Sequence, residues 1–230
     1  AERGYDIVLA ARRRERLEDL AAQIPKETLF VDADLGTPDG CQKVFEAVGD
    51  RPVEILVNNA GFGLRRPFAQ TETSAHLDMV RLNCEAVVHL AALFVPAMME
   101  RQKGYVLNIG SIAGFQSGPG MAVYYATKSF VNNISEALAH ELKPHGIQVS
   151  VYCPGPVATE FGDIAGNGRS RAFNGTVASS EDVARGALKA MFGGRTTVIH
   201  GAMLSLSIFA QRFAPRALPR TVAAWMNQDG

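Results

Sequence analysis

The sequence predicts a single α/β domain built as a doubly wound parallel sheet, and three observations predict it. Short apolar runs alternate with amphipathic helical stretches from residue 5 to about residue 200, the pattern of a parallel sheet with helices on both faces. A length of 230 residues suits one such domain, which buries most of the surface its unfolded chain exposes. No repeat or low-complexity tract interrupts the series.

Taken in order, the first strand candidate is Tyr5–Ala10, followed by a helical pattern at 14–24. Thr28–Val31 comes next, then a helix over 38–48 that Pro38 can start and Gly49 can stop. Ile55–Asn58 leads through a small-residue turn into a long helical pattern at 73–102, opened near Ser74 and closed by Gly104. Tyr105–Ile109 precedes a helix at 123–143 that Gly146 terminates, and Gln148–Tyr152 follows it. The connection from Phe161 to Ser180 is rich in Gly, Asn, Arg and Ser without a period, which predicts a mobile loop. Ser180-Glu-Asp opens a helix over 181–192, and Thr197–His200 is the last strand.

Residues 201–230 form a separate amphipathic extension, with Arg212, Arg216 and Arg220 spaced among Phe213, Leu218, Val222 and Trp225. Such a stretch can cap a cleft, pair subunits or rest on a membrane surface. Packing on the main domain, residues 1–200, is the preferred reading.

Twenty-three basic residues balance 23 acidic ones, so no global field favours nucleic acid. Cys41, Cys84 and Cys153 are odd in number and widely spaced, and no His, Cys or carboxylate spacing suggests a metal. They are expected to be reduced thiols in a cytoplasmic protein. Neither a signal peptide nor an apolar run of about 18 residues is apparent.

Chemistry concentrates at Tyr124 and Lys128. On a helix a spacing of four puts phenol and ammonium on one face, where a cation lowers the tyrosine pKa toward a useful acid–base range. Ser111, at the end of the Tyr105–Ile109 run, can hold a substrate oxygen while Tyr124 exchanges its proton. The pair alone is weak evidence, since any helix can carry it. Asn58-Asn-Ala-Gly61, Asn83, Gly110-Ser-Ile-Ala-Gly114 and Cys153-Pro-Gly-Pro-Val-Ala-Thr-Glu-Phe161 fall in order around it. Together these segments resemble the short-chain dehydrogenase/reductase (SDR) family, a Rossmann-like fold, over about residues 4–200.

The resemblance implies reversible hydride transfer between a nicotinamide cofactor and a carbonyl or secondary alcohol. Asn83, Ser111, Tyr124 and Lys128 map onto the catalytic group. Ser111 and Tyr124 would bind the carbonyl oxygen, Tyr124 would donate the proton, Lys128 would bind the nicotinamide ribose, and Asn83 would hold a connecting water. Asp34 and Leu35 match the adenine contact. Asn59, Ala60 and Gly61 match the turn at the adenosine ribose, and Pro154, Gly155, Val157 and Thr159 the segment meeting the nicotinamide amide and pyrophosphate. The chain opens at what resembles the end of the first helix, so roughly 25–30 residues carrying the first strand and Gly-rich turn are expected to be missing. Two strand edges should then be exposed.

Cofactor choice follows from the end of the Tyr5–Ala10 strand. A carboxylate there would bind the 2′-hydroxyl of NAD, whereas guanidinium accommodates the 2′-phosphate of NADP. Arg12 and then Arg13 are the candidates, and NADP is favoured over NAD. Phe115 and Met121 suggest an apolar pocket wall or core packing, and an apolar or 3-oxo substrate. Tyr125 is one residue out of register with Lys128 and should only pack. The family implies a homodimer or homotetramer through the 73–102 and 123–143 helices. The rival reading is a non-catalytic dinucleotide-binding protein of the same fold.

Overall fold

The structure, a computed structural model, describes residue 1 and residues 3–166, 170–171 and 177–229. In chain order the strands are β1 (Ile7–Ala11), β2 (Thr28–Asp32), β3 (Ile55–Asn58), β4 (Gly104–Ile109), β5 (Ile147–Cys153), β6 (Val157–Ala158), β7 (Ala178–Ser179) and β8 (Thr197–Ile199). They are interleaved with α1 (Arg14–Ala22), α2 (Pro38–Val48), α3 (Thr73–Val80), α4 (Ala86–Glu100), α5 (Ala122–Leu142), α6 (Glu160–Ile164), α7 (Ser180–Phe192), α8 (Ala202–Gln211) and α9 (Ala217–Met226).

The pairings of these strands are parallel, and helices carry the crossovers between sheet neighbours. β1 pairs with β2, and a separate sheet runs β3-β4-β5-β8. Among the described residues no strand joins the two, so β1 and β3 each keep an unpaired edge, and Val8 and Val57 on them are exposed.

Alternation along the buried strands divides the core between two faces. Val106 of β4 joins Val44, Leu90, Phe94 and Met98 on the α2/α4 side. Its neighbour Leu107 joins Tyr152, Ala187 and Met191 under α7. Local chemistry sets the helix starts. Thr37 Oγ1 accepts from Gly40 N at 3.1 Å with Pro38 in the first turn of α2, and Ser179 Oγ accepts from Asp182 N at 3.0 Å at the start of α7.

Two expectations change. Residues 73–100 form a continuous 28-residue helix that is apolar enough, by length and composition, to cross a membrane. Half of its apolar window is buried, with Leu90, Phe94 and Met98 in the core, which accounts for its composition without a lipid phase. The connection from Phe161 to Ser180, expected as a loop without regular structure, instead includes most of α6 and also β7, which pairs with β6 just before it. Residues 167–169 and 172–176 of that connection lie outside the described residues.

The C-terminal extension anchors at its far end. Asn227 Nδ2 donates to Pro119 O at 3.0 Å, its Oδ1 accepts from Tyr125 Oη at 3.3 Å, and its carbonyl accepts from Arg65 Nη1 at 3.0 Å. Tyr125 therefore packs, against Gly118 and Asn227, as its register predicts.

Candidate active site

The site is assembled at the C-terminal ends of β3, β4 and β5, where parallel sheets of this kind place ligands. Between α3 and α4 the helix widens into one π turn, Arg81–Glu85, which carries Asn83. Such turns interrupt the regular bonding pattern and are frequent at functional sites. Asn83, 1 % exposed, spends its amide on the turn after β3: Nδ2 donates to Phe62 O at 2.9 Å and Oδ1 accepts from Phe62 N at 3.0 Å. Nδ2 also donates to Thr127 Oγ1 at 3.0 Å, and Thr127 donates to Tyr124 O at 2.8 Å. Through Asn83, Thr127 thus ties Phe62, just after the Asn59-Ala60-Gly61 turn, to the helix of Tyr124, a role the sequence reading missed.

Ser111, two residues beyond β4, is extended and caps a 3₁₀ turn, Ile112–Phe115, with its Oγ accepting from Ala113 N at 3.1 Å. Its carbonyl accepts from Asn132 Nδ2 at 3.1 Å. Gly110 and Gly114 lie against Asn132 so closely that a Cβ at either would overlap its amide, which holds the Ser111 segment flat on α5.

Tyr124 projects from the first turn of α5. Burial pushes its phenol up to about 12; hydrogen bonding to Ser111 works against that rise, and Tyr125 adds to it. Lys128, 7 % exposed, is pushed down to about 8 by burial, with Cys153 and Cys84 acting in the opposite sense. Its Nζ donates to Ile109 O at 2.8 Å. The expected lowering of the Tyr124 pKa by Lys128 is therefore not seen in this arrangement. Spacing of four brings the Cβ atoms together, but the flexible lysine stem carries the ammonium to a strand-end carbonyl instead.

A cleft of about 420 Å³ opens beside Gly61, between Arg13, Arg16, Thr159, Glu160 and Phe161. Arg13 Nη2 lies 2.9 Å from Glu160 Oε2, and Arg16 Nη2 lies 2.5 Å from Glu160 Oε1. Hydrogen bonds from Arg16 and Arg13 hold the Glu160 carboxyl down at about 2. Arg12, the first candidate for a phosphate, is exposed and does not line this cleft; Arg13 does, with Arg16, which the sequence reading did not single out. Arg16 lies three residues beyond Arg13, one turn along the same chain segment.

Asp34 Oδ1 accepts from Gly36 N at 2.9 Å, and Leu35 packs against the α2/α4 core, so both shape the turn after β2. Asn59 and Ala60 are exposed beside Gly61. Pro154 is buried and its carbonyl accepts from Ile112 N at 3.1 Å; Gly155 sits against Leu204, and Val157 packs on the α7 side. Phe161 lies with its ring centroid 5.3 Å from that of Tyr124. Gly63 sits beneath Tyr124, Phe161 and Met121: a Cβ there would come within 3.0 Å of both rings. Met121 therefore borders the site, whereas Phe115 packs with Val87, Val131 and Cys153 in the core.

The residues fit a dinucleotide. A Cβ on Gly61 would stand 3.0 Å from Asn83 Oδ1 and 3.7 Å from Lys128 Nζ, so bare backbone here leaves room for a ligand next to a cation. Arg13 and Arg16 add guanidinium groups suited to phosphate.

The sequence pattern of the short chain dehydrogenase family matches residues 1–168. The chain belongs to that family. A very-long-chain 3-oxoacyl-CoA reductase of Phaeosphaeria nodorum is 33 % identical over 159 residues, 65 % of this chain and 47 % of the relative. The chain thus spans about half the length of the curated relatives it matches. A short-chain dehydrogenase of Sphingobium yanoikuyae in complex with NADPH is 31 % identical with a TM-score of 0.81, over 92 % of this chain and 85 % of that one. The bulky-bulky ketone specific alcohol dehydrogenase of Comamonas testosteroni is 28 % identical with a TM-score of 0.77, over 92 % and 83 % of the two chains. The short-chain dehydrogenase fold accounts for the parallel sheet and for the placing of Ser111, Tyr124 and Lys128 at its C-terminal edge.

Proposed function

We propose that this short-chain dehydrogenase is an NADP(H)-dependent oxidoreductase acting between a carbonyl and a secondary alcohol, with an apolar 3-oxo compound as substrate. The observation that carries the reading is the convergence of Ser111, Tyr124, Lys128 and Asn83 beside the Gly61 cleft. A bound dihydronicotinamide would supply the hydride. Tyr124, held at about 12, keeps its proton at neutral pH, the state needed to donate to a carbonyl oxygen in the reducing direction. Ser111 Oγ accepts from Ala113 N and is hydrogen-bonded with Tyr124, so its hydroxyl is placed to turn toward the same carbonyl oxygen. An ammonium has three donors; Lys128 gives one to Ile109 O and keeps the others for ribose hydroxyls. Asn83 holds the Phe62 backbone and the Thr127 hydroxyl in place, with a lone pair of Oδ1 left for water.

Preference for NADP(H) is supported by Arg13 and Arg16 in the cleft and by the NADPH complex of the Sphingobium protein. A 3-oxo substrate is supported by the name of the Phaeosphaeria relative and by Phe161 and Met121 next to Tyr124. Leu77, Val80, Val88 and Phe130, exposed on α3, α4 and α5, support self-association through these helices. The test is incubation with NADPH and a panel of 3-oxoacyl thioesters, ketones and aldehydes, with product identified by mass. A 3-hydroxy product formed faster with NADPH than with NADH is expected. Cofactor binding with no product from any compound would overturn the reading in favour of a binding protein.

A further inference from the structure

The C-terminal extension, read from sequence as packing on the protein, buries only one side of each helix. In α8, Ile208 is buried and Leu204 sits against Gly155, while Met203, Leu206 and Phe209 are exposed, Met203 at 84 %. At about 100° per residue the two sets fall on opposite sides of the helix. Phe213, just beyond, is 78 % exposed and continues the outer side, its ring centroid 5.5 Å from that of Phe209. In α9, Ala223 is buried, whereas Leu218, Val222 and Trp225 recur on the outer side. Exposed apolar side chains that recur on one side of each helix signal an interaction surface.

Charge chooses the occupant. Arg212, Arg216 and Arg220 are exposed within the same segment, Arg212 next to Phe213, and none has an ion-pair partner among the described residues. Arg171 adds a fourth guanidinium, 4.9 Å from the centre of the Trp225 ring. No Asp or Glu lies between residues 201 and 228. A two-fold contact of the face with its own copy would bring arginines together with no carboxylate from the segment to neutralise them. An anionic surface that accepts apolar side chains meets both demands. Each helix is 10 residues long, too short to cross a bilayer but suited to lie along its interface.

We propose that the outer face of α8 and α9 docks on an anionic lipid surface, with Met203, Leu206, Phe209, Phe213 and Trp225 entering the headgroup boundary and Arg212, Arg216 and Arg220 meeting lipid phosphates and carboxylates.

The test uses vesicles of phosphatidylcholine alone and of phosphatidylcholine with phosphatidylserine. Trp225 is the single tryptophan of the chain and reports docking directly. Its emission should shift to the blue, and the protein should co-sediment, with serine-containing vesicles and much less with phosphatidylcholine. Replacing Arg212, Arg216 and Arg220 by Gln should weaken that binding about fivefold per charge. Leu206→Ser with Phe213→Ser should weaken it at least about tenfold. All of these side chains are exposed, so circular dichroism should remain that of the parent. Unchanged emission with no co-sedimentation would overturn the proposal. Equal binding to both vesicle types would also overturn it. So would concentration-dependent self-association abolished by Phe213→Ser, which would assign the face to a second copy.

Discussion

Replacing Lys128 by Met removes a buried ammonium, and its effect on stability can be worked out from the site. Burial holds this group at about 8 where the unfolded chain has 10.5. At about 1.4 kcal/mol per pKa unit, the native state at neutral pH carries a penalty of about 3 kcal/mol for keeping the proton. Between these two values the unfolded chain binds more protons than the native one, so stability rises with pH. From pH 7 to about 9.5 the parent should gain about 2 kcal/mol through this residue, while Lys128→Met gains nothing there. For a chain of this size that equals about 4–8 °C in Tm. Urea denaturation of parent and variant at both pH values gives the difference directly, with other titrations cancelling. A stability gap that stays constant over this range would refute the reasoning, because it would mean that the ammonium is solvated.

Three further outcomes follow from the same geometry. Gly61→Ala places a methyl 3.0 Å from Asn83 Oδ1 and should cost about 1–3 kcal/mol in denaturation while weakening NADPH binding measured by titration. Asn83→Ala leaves Phe62 N and O and Thr127 Oγ1 without their partner and should cost about 2–4 kcal/mol, with faster hydrogen exchange at the Phe62 amide. Glu160→Gln removes the carboxylate that occupies Arg13 and Arg16, so NADPH should bind severalfold more tightly by calorimetry while NADH binding is unchanged; equal gains for both cofactors would count against the two arginines as phosphate ligands.

Much of the fold was legible because its strands and helices differ in period. The helix expected at 38–48 is α2, and Tyr105–Ile109 differs from β4 by one residue. The π turn at Arg81–Glu85 left no trace in the pattern, since it follows from Asn83 reaching Phe62 and Thr127 across the fold. The four catalytic candidates were legible from motif order, but not where Lys128 Nζ would point, because its partner is the carbonyl of Ile109 on a separate strand. Placing Arg13 rather than Arg12 in the cleft needed the direction of the chain as it leaves β1, which residue type does not specify. Glu160 and Phe161 stood inside the Cys153–Phe161 segment without a role, because nothing in residue type shows that Glu160 meets the arginines in space. In the extension, periodicity identified an amphipathic stretch but not which of its sides would find a partner; Ile208 and Ala223 do, and Met203 and Phe213 remain outside.

The central claim is that Tyr124 donates the proton to a carbonyl oxygen in this cleft. The most direct measurement is the turnover of a reducible 3-oxo or ketone substrate with NADPH by the parent and by Tyr124→Phe, with NADPH affinity measured alongside. A loss of about 10²–10⁴-fold in kcat with cofactor affinity unchanged is expected, since the ring and its packing on Phe161 remain and only the hydroxyl is gone. Full turnover by Tyr124→Phe would contradict it.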